Sequence, residues 1–109
     1  MNACVAPVRA ELQQVASTAE YSDLIPIAHA FLACLQPFQA ALLQISFPTS
    51  MSTQASSLAA ALQTEIAELE AFIADPNATT WETAGNAAWA ENAAVAALRM
   101  ALHLPPPPQ

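Results

Sequence analysis

No lysine occurs anywhere in these 109 residues, and Arg9 and Arg99 are the only bases against nine acids. With a formal net charge of −7, the chain cannot build the basic footprint that displaces phosphate counterions, so nucleic acid is excluded as a direct partner. The same deficit argues against direct binding to anionic membrane surfaces. Gly85 is the one glycine, too few for a glycine-rich phosphate loop. β-Branched runs are scarce, which argues against sheets. No apolar run approaches the ~20 residues of a membrane span. The opening MNACVAPVRAEL has neither the basic region nor the long apolar core of an intact signal peptide.

Catalytic and metal motifs are missing as well. His29 and His103 stand apart, with no Glu-x-x-His or His-x-x-x-His spacing, so no metal site is expected. No Ser–His–Asp signature is present, and neither cysteine is accompanied by a base-bearing motif. The expectation is a protein that is not an enzyme and needs no cofactor.

What the chain does have is helix-forming apolar residues: 55% of it is hydrophobic, much of that alanine. Alanine favours helix while supplying little burial energy. The length suits one domain, here a helical bundle over residues 1–104 followed by the proline-rich tail 105–109.

Four helical segments can be read. In the first, Val5, Val8, Leu12, Val15 and Ala19 recur every three or four residues, with Pro7 suited to its first turn. Ser22 or Asp23 can cap the second, which carries Leu24, Ile27, Phe31, Cys34 or Leu35, Phe38, Leu42 and Ile45. Ile25, Leu32 and Leu43 widen its apolar surface, so it reads as the central helix. Pro37 inside it predicts a kink and leaves the Ala33 carbonyl to another partner. After FPTS, with Thr49 or Ser50 as cap, the third helix is the most regular. Its stripe is Met51, Ala55, Leu58, Leu62, Ile66, Leu69 and Ile73. The fourth starts from Thr79 and Glu82 at capping-box spacing and aligns Ala84, Ala88, Val95, Leu98 and Leu102. Short connections predict an all-α, up-down-up-down four-helix bundle.

If the first two helices form a hairpin, Cys34 lies ~17 Å along the second and Cys4 just beyond ~18 Å along the first, at 1.5 Å per residue. Their matched height makes a Cys4–Cys34 disulfide geometrically reasonable. Such a bridge implies an extracytoplasmic protein, secreted or attached to the cell envelope, whereas two reduced cysteines would fit the cytoplasm.

The carboxylates give little. Glu65, Glu68 and Glu70 read as a solvated acidic face; Glu91 falls near the apolar stripe of the fourth helix and is the more interesting carboxylate, but an edge position reaching water is expected over a buried acid. NAT at Asn77 fits a glycosylation acceptor. Two binding expectations follow. The bend at Pro37 has two readings: it wraps the second helix around a closed core, which is the usual outcome, or it opens a cavity for a small apolar ligand, walled by Phe31, Phe38, Leu42 and Trp89. Alternatively, the wide second helix and the Trp81/Trp89 surface would be covered by a protein partner or a second copy, giving a homodimer.

ISFPTS, the regular third helix and the closing AALRMALHLPPPP resemble small helical domains of exported proteins and lipoproteins of high-GC actinobacteria, over roughly residues 24–108. There a proline break precedes one long helix, and the last helix runs through a Leu-Arg pair into a Leu-Pro-Pro end. The resemblance implies an exported location and tethering through a lipidated cysteine. No apolar lipobox precedes Cys4, and lipidation there would leave Cys34 unpaired.

Overall fold

The computed structural model describes residues 2–15 and 20–102, so the expectations placed on Ala19, His103 and the 105–109 tail lie outside the described residues. Four helices account for most of it: α1 (Asn2–Gln13), α2 (Ile25–Leu43), α3 (Ser52–Ala74) and α4 (Ala78–Ala101). Among the described residues there is no strand. The all-helical fold follows from an alanine-rich sequence almost without glycine, but several local expectations need correction.

Pro7 is not in a first turn. α1 already begins at Asn2, which puts the proline in the helix interior, where it withholds the N–H that the Ala3 carbonyl would accept. α2 is preceded by a single 3-10 turn, Tyr21–Leu24, capped from Glu20. The Glu20 backbone N–H donates to Asp23 Oδ2 at 2.9 Å. Pro26 sits harmlessly in the first turn of α2, and the helix continues through Pro37, whose ring is exposed. A 3-10 turn, Thr49–Met51, leads into α3, where Ser52 Oγ donates to the Thr49 carbonyl and Met51 occupies the cap position.

The α4 cap is Asn77 rather than Thr79. Asn77 Oδ1 accepts from the Thr80 N–H at 2.9 Å, while the Asn77 N–H donates to Thr80 Oγ1 at 3.2 Å. Thr80 Oγ1 also donates to the Asp75 carbonyl at 2.8 Å, and Asn77 Nδ2 donates there at 3.0 Å. Both amide atoms of Asn77 are thus engaged in the turn.

Taken as one stretch, Tyr21–Leu43 is long and apolar enough to cross a membrane by length and composition, which corrects the expectation that nothing approaches a span. In this fold it supplies the core with Ile27, Leu32, Leu35 and Leu42. α3 contributes Leu58, Leu62, Ile66, Leu69 and the fully enclosed Phe72. α1 adds Val5 and Val8. α4 adds only Ala84, Ala87 and Leu98 as apolar core residues, while Val95 is half-buried and Leu102 is exposed. Cys4 and Cys34 are joined with their Cα atoms 5.8 Å apart, within the ordinary disulfide range, and they tie α1 to α2.

Candidate functional site

Helix backbones approach closely between α1 and α2, between α2 and α3 and, most extensively, between α3 and α4. The α1–α4 seam lacks that close approach. Facing the seam, α1 brings Val5, Arg9, Leu12 and Gln13, and α4 brings the small Ala84, Gly85 and Ala88 between Trp81 and Trp89. At this separation the small α4 side chains leave the gap unfilled. A side chain begun at Gly85 would meet nothing within 4 Å.

The result is a half-open cleft of about 440 Å³ that all four helices line. Phe31 and Leu35 come from α2, Leu69 from α3, and Trp81 and Trp89 from α4. Trp81 is held by Phe72 across the α3–α4 hairpin, with ring centroids 4.9 Å apart and tilted by 56°. Trp89 is 79% exposed at the rim.

Of the residues expected to form a ligand wall, the structure brings Phe31 and Trp89 together here. Phe38 and Leu42 do not line this cleft: Phe38 packs half-buried against the core and Leu42 is buried within it. Pro37 is likewise not a lining residue. The space comes from small side chains on a loosely closed seam, whatever bend α2 carries.

Two lining residues were misread from sequence. Glu65 is 5% exposed and Glu91 only 3%, so neither is a solvated or edge carboxylate. In each, Oε1 is buried without a hydrogen-bond partner. Burial pushes the Glu65 carboxyl up to about 7, the Glu91 charge adds to that rise, and Arg9 opposes it. Burial raises Glu91 too, again against the pull of Arg9. Arg9, exposed on α1, lines the same cleft.

A signal for both carboxyls was present in the helical register. Leu58, Leu62, Glu65, Leu69 and Phe72 repeat at intervals of four and three, as do Ala84, Ala87, Glu91, Ala94 and Leu98. Each glutamate occupies a core position of its own stripe. Residue type had outweighed register.

His29 is exposed on α2 near Gln36 and Glu70, in a shallow groove on the bundle's other side. Among the described residues no group of three histidine, cysteine or acidic side chains converges in a way that could hold a metal ion. No protein-family model, curated protein or solved structure matches the chain.

Proposed function

We propose that this protein is a non-enzymatic, extracytoplasmic binding module that holds a small, largely apolar ligand between α1 and α4. The observation that carries this reading is the 440 Å³ cleft, within the size range of small-molecule sites and walled by aromatic and aliphatic side chains with a few polar groups. The Cys4–Cys34 pair supports an oxidising compartment. An exported domain of the actinobacterial kind fits that location. The charge of −7 supports small molecules or proteins as partners over nucleic acid and anionic membrane. In this reading the helices alternate up and down, since consecutive ones pack together and three residues, 75–77, join α3 to α4. Any bend at Pro37 would wrap α2 around the core, because the proline lies on its exposed side.

The test is a fluorescence titration with the neutral apolar probe N-phenyl-1-naphthylamine, comparing the natural protein with Ala84→Leu/Ala88→Leu, which narrows the cleft from its α4 side. Saturable one-to-one binding that the double substitution weakens is expected. Equal binding by both proteins would defeat the reading.

A second reading, assembly through an apolar surface, is favoured by Trp89 and Met100, 79% and 73% exposed on α4. They lie eleven residues apart, about three helical turns, and so share a face. Concentration-dependent light scattering that Trp89→Ser removes would support it, and a monomer at every concentration would count against it.

A further inference from the structure

We infer that the ligand of the α1–α4 cleft carries a protonated amine, seated against the buried carboxyl pair Glu65 and Glu91. This rests on the cleft being a ligand site and goes on to name the ligand's polar group.

Buried polar atoms in folded proteins almost always have hydrogen-bond partners, and leaving one without a partner is costly. Here two carboxyls, each more than nine-tenths buried, line one cleft, and each keeps an unpartnered oxygen. A carboxylate only accepts and an ammonium only donates, through up to three N–H groups, and the charge of Glu91 is felt at Glu65, so an ammonium seated between them would offer donors to both. The aromatic lining suits the same group. Phe31, Trp81 and Trp89 face the cleft, and ring faces attract a cation.

The competing ligand classes fit less well. A metal ion lacks a third protein ligand among the described residues. An anion could pair with Arg9 at the rim, but it would then lie beside two carboxyls within a chain of charge −7. A wholly apolar ligand would cover the pair without satisfying it.

The charged groups facing the pair are Arg9 from α1, Glu65 itself from α3 and Glu91 from α4; the α2 lining residues Phe31 and Leu35 carry no charge. Near neutral pH the Glu65 carboxyl keeps part of its proton before a ligand binds, because burial lifts it to about 7. An arriving ammonium favours the ionised form, so that proton leaves to the buffer as the amine binds.

The experiment is isothermal titration calorimetry at pH 7 with three molecules of one shape: 1-adamantylamine, 1-adamantanol and adamantane-1-carboxylate. Each is run in two buffers of different ionisation enthalpy, which reports protons released. The amine is expected to bind at least tenfold more tightly than the alcohol and to release protons, with the carboxylate weakest. In a Glu65→Gln/Glu91→Gln variant, shown folded by circular dichroism, the amine's advantage and the proton release should vanish while the alcohol still binds. If the alcohol or the carboxylate binds the natural protein as tightly as the amine, the inference fails and the apolar cleft stands. An advantage for the amine that persists in the double variant also overturns it, since overall negative charge would then be the cause. If none of the three binds, the ligand-site reading falls together with the inference.

Discussion

α4 has two neighbours and treats them differently. Toward α3 it forms a tight hairpin, closed by the Asn77–Thr80 cap and by Trp81 against Phe72. Toward α1 it leaves an open seam with two carboxyls inside. The same alanine-rich helix makes both, so composition does not explain the contrast. The partner does. α3 brings five large apolar side chains to the core, whereas α1 is twelve residues long, interrupted by Pro7, and brings two buried valines. Alanine packs well only where the opposite helix supplies volume, and where it does not, space remains.

The largest break should come on the tight side. Phe72 is 0% exposed, and Phe72→Ala should cost about 3–5 kcal/mol in urea unfolding. Phe31→Ala, at the cleft wall, should cost clearly less because its site already borders open space. Comparable losses at the two positions would mean that the seams are equally packed.

Next in size is the covalent tie. α1 has little buried area to hold it, so removing the bridge that spans 30 residues with Cys4→Ala/Cys34→Ala should cost about 3–4 kcal/mol by the chain-entropy account. Hydrogen exchange should show α1 amides losing protection first while the α3–α4 hairpin keeps its own.

The carboxyl pair sharpens the contrast through pH. Glu65 holds its proton more tightly folded, at about 7, than at its ordinary value of 4.5. Between those values the native state binds more protons than the unfolded one, so the contribution of this group to stability is lost as pH rises from about 4.5 to about 7. Glu65→Gln should flatten that slope in thermal melts between pH 5 and 8. Glu91→Leu should raise stability at pH 8 by about 1–3 kcal/mol, since it removes an unsatisfied buried acid. A loss of stability instead would show that the carboxyl has a partner.

The smallest effect is at Gly85. It is helical, and an added methyl would enter open space, so Gly85→Ala should stabilise by up to about 1 kcal/mol. A destabilised variant would mean that the seam is closed in solution.

Local chemistry was legible where it depended on neighbours in sequence. The helical class and the α3 stripe through Leu58, Leu62, Ile66 and Leu69 could be read directly. The Cys4–Cys34 pairing was expected too, although the count along the first helix placed Cys4 beyond its start, whereas Cys4 lies within α1, which ends at Gln13. The α4 start was misplaced by two residues because two capping patterns overlap in NATTWE, and only the Asp75 carbonyl, which receives Thr80 Oγ1, decides between them. The site was half legible. Phe31 and Trp89 were expected on a wall, while Glu65 and Glu91 were assigned to water although their spacing put them in the core.

Composition and periodicity thus determined that the chain is helical and what its apolar stripes are. Propensity and amphipathic spacing are properties of each segment alone, so they can be read without a fold. Tertiary structure alone decided where the space lies, because a cavity is a mismatch between the volumes that two distant helices present to each other. The same holds for the acids: Glu65 on α3 and Glu91 on α4 are buried only once the helices assemble around them, and that burial moves the protonation of Glu65 into the neutral range.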